Sequence, residues 1–264
     1  MSKITYYQYV DFIFSLTTKS GAWEELRWIC KNVFRDFTNM KTGSIGNVRR
    51  AELSQAAFEA VLRYGLRKTT LDKVGEIAGV SKGVVLHHFK DKSVLLEAVF
   101  RRSNSLLSEA VIELYRYSHT PYERLWAIIF ANFSDTTFHP RVCQAWVSLI
   151  SEVQQSKQCQ RVQVACNRRI ESNFQHELKY FLNKAGAKRI ALHLGLLIDG
   201  IWIRSGSTTT RLENAEVISE LEWVLLKMLP RDSYNVDKHS EAKLKIESIA
   251  SITLDSNAYR AKAL

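Results

Sequence analysis

Apolar residues recur at intervals of three and four along most of the chain, and no stretch sustains the strict alternation of a half-buried strand. Val48, Leu53, Ala57, Val61 and Leu62 approximate one face of a helix over residues 47–64, and Gly65 supplies its stop. Leu71, Val74 and Ile77 or Ala78 make a short second face over 71–78. Val84 or Val85, with Phe89, makes a third over 82–89. A long connecting helix is predicted over 93–117, and further helices over 121–133, 140–155, 157–184, 188–205 and 213–229. Their connections are short, as in a compact bundle. Residues 231–264 are more polar and weakly periodic, so a flexible tail is expected there, with 244–252 as a candidate short helix. No internal repeat is evident.

Cap residues sharpen the first three helices. Thr69 or Thr70 can cap the helix from Leu71, with Asp72 favourable in its first turn. Gly79 permits the positive backbone angle of a tight turn, and Val80 is expected to plug the angle between the helices. Ser81 caps the helix from Lys82, and Asp91 caps a third with Lys92 at its start. Gly83 weakens its short helix by about 1 kcal/mol relative to Ala, yet lets the backbone lie close to another surface. Lys82, Leu86, His87 and His88 are left for the outer face. Two helices joined this tightly bury little core by themselves, and a basic rim suits insertion into a DNA groove. Further along, Thr120 and Pro121 mark another helix start.

Charge agrees with that placement. The chain has 264 residues, 46% of them apolar, and a formal net charge of +10. Residues 40–102 hold 12 Lys and Arg against 6 Asp and Glu, whereas residues 103–230 hold 14 against 12. The excess is therefore local, as a phosphate-binding footprint requires. Arg49 and Arg50 lie in the first turn of their helix, where cations oppose the helix dipole, and an anionic partner reverses that penalty. His87 and His88 point in different directions on a helix and do not suit a shared metal ion.

Other chemistries find little support. Cys30, Cys143, Cys159 and Cys166 form no CxxC and have no zinc spacing, so reduced thiols of a cytoplasmic protein are expected. No apolar run is long enough to span a membrane. GxSxG, HExxH, P-loop and dinucleotide fingerprints are missing, so we expect no enzyme, catalytic residue, cofactor or metal.

The helical half carries three suggestive pieces: NFSD at 132–135, AW at 145–146 and LIDGIWIR at 197–204. Asp199 in an apolar segment calls for a cationic partner, either Arg204 or a ligand. Trp202 lies three residues on, on the same helical face, and an indole face beside a carboxylate matches a quaternary ammonium ion. Phe133, Asp135 and Trp146 are candidates to complete such a cage. The same aromatics also suit plain packing, with Asp199 paired to Arg204 or capping a helix across a dimer.

The succession of a helix, AGVS at 78–81, a short helix ending HHF at 87–89, and a helix led by Asp91 and Lys92 resembles the TetR family of bacterial transcriptional regulators. The resemblance implies a three-helix DNA-binding domain with a helix-turn-helix over 40–92, then a ligand-binding and dimerisation bundle over 93–230. It also implies a homodimer on near-palindromic double-stranded operator DNA and a small-molecule effector. Carried over by position, Thr70, Lys82 and Lys92 hold phosphates, Leu86 and His87 face base edges, and Ser81, Gly83 and His88 complete the contact surface. The family usually has Tyr at His88. Its dimers pair the last two helices, for which Ile190, Leu194, Leu197, Ile218, Leu221 and Leu225 are the apolar positions available, some of them needed for the protomer core.

Residues 40–230 further resemble the choline-responsive repressors of glycine betaine synthesis genes. RRAEL, NFSD, QAW, NRRI with Arg168 and Arg169, and LIDGIWIR carry that likeness. Those chains often place a second Trp where Ile150 stands. They start shortly before the Arg pair, at a place held here by Met40, and end near Pro230. Residues 1–39 carry nine aromatics and a stripe of Trp23, Leu26, Cys30, Val33 and Phe37. They are read either as an added helical element or, favoured by the likeness, as sequence upstream of a start at Met40.

Overall fold

The computed structural model describes residues 45–208, 212–230, 232, 234–256 and 259. Residues 1–39, with their predicted stripe, lie outside the described residues. By internal contacts the chain divides after Asn47, and the architecture is that of residues 48–264. Regular structure among the described residues is helical, with no strand.

Helices α1 (Ile45–Tyr64), α2 (Leu71–Ala78) and α3 (Lys82–His88) lead into the long α4 (Lys92–Tyr115). Leu53, Ala57, Phe58 and Val61 of α1 are buried with Val74 of α2, Val85 and Phe89 around α3, and Val99 and Phe100 of α4. Val48, expected on that face, is 52% exposed. Next come α5 (Pro121–Phe133), α6 (Pro140–Ile150), a 3-10 turn (Val153–Gln155), α7 (Lys157–Leu178), α8 (Lys184–Ser207) and α9 (Asn214–Met228). The helix predicted over 140–155 thus breaks after Ile150, and α7 stops short of Lys184, which instead opens α8. Helix α5 is central: every residue from Leu125 to Phe133 is buried. It packs on α4, α7 and α9, while α8 lies across α6 and α7. A helix apolar all round belongs inside, and this one is. No helix of the described residues is long and apolar enough to cross a membrane.

Ile190, Leu194, Ile218, Leu221 and Leu225 are buried in the protomer, and Leu197 is half-buried. The exposed apolar residues of α8 and α9 are instead Leu192, Leu196, Ile203 and Trp223.

The expected C-terminal tail is corrected. Residues Val236–Thr253 form an 18-residue helix, α10, laid along α5. Its buried stripe is His239, Ala242, Ile246 and Ala250. Polar contacts reinforce it. Trp126 Nε1 donates to the His239 carbonyl at 3.1 Å. His239 bridges Tyr234 (Nδ1 to hydroxyl, 2.6 Å) and Glu222 (Nε2 to Oε1, 2.9 Å), and Lys243 reaches Glu222 Oε2 at 2.5 Å. A neutral imidazole satisfies both contacts, accepting from the tyrosine and donating to the carboxylate. Burial holds its pKa below the ordinary value despite Glu222.

Candidate DNA interface and effector cleft

The turn between α2 and α3 is fixed by short-range geometry. Thr70 caps α2, its hydroxyl accepting from Lys73 N at 3.3 Å, and keeps its own proton for another acceptor. Gly79 closes α2 with φ +66°, the left-handed conformation that glycine adopts without strain. Val80 N then donates to the Gly75 carbonyl at 2.8 Å. That bond brings the turn so close that a Cβ at Gly75 would stand 2.6 Å from the Val80 carbonyl oxygen. Gly75 is thus part of the reading head, although the helical pattern alone did not single it out. Val80 itself is half-buried and packs against the core. Ser81 caps α3, accepting from Val84 N at 3.4 Å. Val85, not Val84, is the buried anchor beside Phe89.

The outer face of α3 presents Lys82, Gly83, Leu86 and His87, all exposed. A Cβ at Gly83 would meet nothing closer than 3.7 Å, so that face is open to a close-lying backbone. Lys82 Nζ pairs with Asp72 Oδ2 at 2.8 Å across the turn. Lys92 is exposed at the start of α4. The structure also brings the far end of α3 onto the start of α1. Arg50 Nη1 donates to the His88 carbonyl at 3.5 Å, and its guanidinium stands over the Phe89 ring. Arg49 pairs with Glu52 at 2.8 Å.

Burial, then the neighbouring His87, Arg49 and Arg50, hold the His88 imidazole below its usual pKa. A phosphate placed there reverses the charge effect and raises the pKa in the complex. Binding then takes up a proton. Duplex affinity is expected to rise as pH falls through the raised pKa of the complex and to level off below the lowered pKa of the free protein. Fluorescence anisotropy with a short operator duplex from about pH 8 to about pH 5.5 measures this. Replacing His88→Phe should remove that part of the pH dependence, and an unchanged slope would exclude the contact.

A small cleft lies behind these helices. It is lined by Phe58 of α1, Ser103, Leu106 and Leu107 of α4, Thr136 and Thr137 of the loop after α5, Val142 and Trp146 of α6, and Trp202 of α8. It has room for about one or two water molecules. The two indoles meet edge to face with centroids 5.5 Å apart, and Phe138 meets Trp202 in the same way at 5.7 Å. Close approach of α6 and α8 makes this possible. At Gly206 a Cβ would come within 2.4 Å of the Cys143 carbonyl oxygen and 2.6 Å of the Val147 Cγ2. Both indole N–H groups are buried without an acceptor among the described residues. Ser103, Thr136 and Thr137 donate their hydroxyl protons to the carbonyls of Phe100, Leu254 and Ala131 at 2.9, 2.9 and 3.0 Å. They turn lone pairs, not protons, to further partners.

Of the five expected cage residues, the structure places only Trp146 and Trp202 on this cleft. Phe133 is fully buried one layer away, packed on Phe138. Asp135 is exposed, and its Oδ1 accepts from Asn214 Nδ2 at 2.8 Å. Asp199 is half-buried, and burial and then the Glu171 charge push its carboxyl up to about 6. It has no ion pair among the described residues, and Arg204 is exposed. The lining carries no charged side chain. Ile150 packs half-buried against the core and does not line the cleft. Arg169 ties α7 to α4 through Ser108 and the Asn104 carbonyl, whereas Arg168 is exposed. Cys143, Cys159 and Cys166 are buried free thiols, all raised in pKa first by burial. Phe58, Ser103, Leu106 and Leu107 were not foreseen from sequence, because hydropathy cannot tell a cleft wall from core.

Residues 53–99 match the family described as bacterial regulatory proteins, tetR family, and residues 121–228 match the BetI-type transcriptional repressor C-terminal family. The chain is 36% identical over 174 residues to the HTH-type transcriptional regulator BetI of Serratia proteamaculans, covering 65% of this chain and 88% of that one. It is 30% identical over 190 residues to BetI of Escherichia coli, covering 70% and 96%. Among solved structures, a TetR transcription regulator from Haloarcula marismortui superposes with a TM-score of 0.61 at 17% identity, over 69% of this chain and 98% of that one. A transcriptional regulator from Rhodococcus superposes at 0.60 and 18% identity, over 68% and 95%. The structural likenesses speak to fold alone.

Proposed function

Since the chain belongs to the TetR family of transcriptional regulators and resembles its BetI members, we propose that it is a repressor released from its operator by choline and controlling choline-to-glycine-betaine genes. The observation that carries the switch is Phe58. It sits on α1, the helix that also bears Arg49 and Arg50, and it forms part of the effector cleft. A ligand that repacks this wall acts on the DNA-binding helices directly, as well as through α4. It shifts the equilibrium only by its difference in affinity for the two states.

In this reading Thr70, Lys82, Lys92, Arg49, Arg50 and His88 hold phosphates, Leu86 and His87 face bases, and Ser81 and Gly83 set the approach of α3. The molecule works as a cytoplasmic homodimer through α8 and α9. Leu192, Leu196 and Ile203 supply an exposed apolar stripe on α8, and Trp223 adds to it on α9. Gly200, with open space around it, lets the partner helix come close. Asp199 lies on α8 outside the cleft and serves no part of choline binding.

Choline fits the cleft's chemistry without a carboxylate. Its ammonium suits indole faces and hydroxyl lone pairs, and its hydroxyl can accept from an indole N–H. Two aromatic faces at about 2 kcal/mol each give about 4 kcal/mol, which corresponds to about millimolar affinity. The uncharged lining favours a second reading, a neutral effector in the same place. Release of a labelled operator duplex by choline at millimolar concentration supports the first. Unchanged binding across that range sinks choline and leaves the repressor. A thermal-shift panel of choline, betaine, betaine aldehyde and neutral aromatics then separates the two.

A further inference from the structure

The BetI-type match stops at residue 228, yet the chain continues into α10 and a turn behind it. That added segment reaches the cleft. Beyond α10, Leu254 is fully buried, and its carbonyl accepts from Thr136 Oγ1 at 2.9 Å. Asp255 Oδ1 accepts from the Thr136 backbone N–H at 3.0 Å. Tyr259 donates its hydroxyl to the Leu106 carbonyl at 3.3 Å. Thr136 and Leu106 both line the cleft, on two different walls. We propose that the C-terminal segment is a latch on the effector cleft, with Asp255 as its principal positioning residue, and that it raises the ligand concentration needed for release. The proposal rests on the cleft being the effector site.

The physical reason is the size of the cleft. It holds about one or two waters, so any ligand larger than that must move a wall. The loop at Thr136 and Thr137 is a short connection between α5 and α6 and is the wall with least helical support. The latch holds that loop by two hydrogen bonds through one residue, Thr136. Opening the loop breaks them, and their cost is subtracted from ligand affinity. The anchorage of the latch lies elsewhere, in α10 and its contacts with Trp126, Tyr234 and Glu222. Loss of the Asp255 carboxylate leaves those contacts in place.

The test uses the full chain with Asp255→Ala and Asp255→Asn, the second keeping a carbonyl acceptor. Hydrogen–deuterium exchange without ligand should run about threefold to tenfold faster over residues 134–139 in the alanine chain, close to parent in the asparagine chain, and unchanged over 71–89. Equal exchange over 134–139 in all three overturns the latch. So does faster exchange that spreads along all of α10, which marks a merely structural role. Operator release by choline should then need about threefold to tenfold less choline for Asp255→Ala. A midpoint equal to parent overturns the latch. A parent indifferent to choline overturns the choline reading alone, and the exchange rates over 134–139 then decide for or against the latch by themselves.

Discussion

A Gly75→Ala chain is expected to lose operator affinity by about a hundredfold while its bundle stays folded. The added methyl would sit 2.6 Å from the Val80 carbonyl, a backbone atom that cannot rotate away. The free protein relaxes by opening the angle between α2 and α3. Binding must then reimpose the original angle, or seat α3 badly in the groove. Overpacking of this kind costs about 1–3 kcal/mol, and the proposed symmetric dimer incurs it twice. Anisotropy with an operator duplex measures the loss, and circular dichroism should show unchanged helix content. Parent-like affinity would mean that the turn yields freely and that α3 is not held by it.

The second large effect is expected at the other crowded glycine. Gly206→Val should lower the melting temperature by about 5–10 °C and abolish any effector response. Its Cβ alone would overlap the Cys143 carbonyl, and the branches add to the clash. Pushing α6 from α8 separates Trp146 from Trp202, whose contact depends on that approach. Duplex binding without effector should survive, because the added side chain meets Cys143 and Val147 of α6 and no residue of α1 to α3. Differential scanning calorimetry and the choline titration read the two consequences separately. An intact response with a lowered melting temperature would show that the indole pair is not the effector seat.

These two glycines also mark what the sequence made legible. Gly79 was readable because a turn after a capped helix calls for a positive φ, and the structure has it. Gly75 and Gly206 were not. Their requirement comes from an atom on another segment, and periodicity carries no record of which faces meet at closest range. The helix boundaries around Thr70, Ser81, Asp91 and Thr120 were legible because capping is local chemistry. The membership of the cleft was not. Asp199 and Trp202 are neighbours along α8, yet a difference of about 60° in direction puts the indole at the cleft and the carboxylate beside Glu171. Of helix α10 only the stretch 244–252 was legible as a candidate helix within an expected tail, for a similar reason. Its buried stripe is thin, with two alanines and a histidine, and its hold depends on Trp126, Tyr234 and Glu222 from elsewhere in the chain.

The Lys82–Asp72 bridge has a consequence for discrimination among DNA sites. The ammonium at the head of α3 is already neutralised by the protein's own carboxylate. A phosphate must compete with that carboxylate for the ammonium, and one held in good register does so at the larger gain. The bridge is exposed and worth at most about 1 kcal/mol, so a well-placed operator phosphate overcomes it readily. A sliding encounter with random duplex, whose phosphates pass without settling, gains less from this lysine than from a free one. If Lys82 holds an operator phosphate as proposed, Asp72 acts as its internal competitor. It lowers the background of unproductive contacts on a chromosome and lets fewer counterions be released per encounter than the basic residues of the face would suggest.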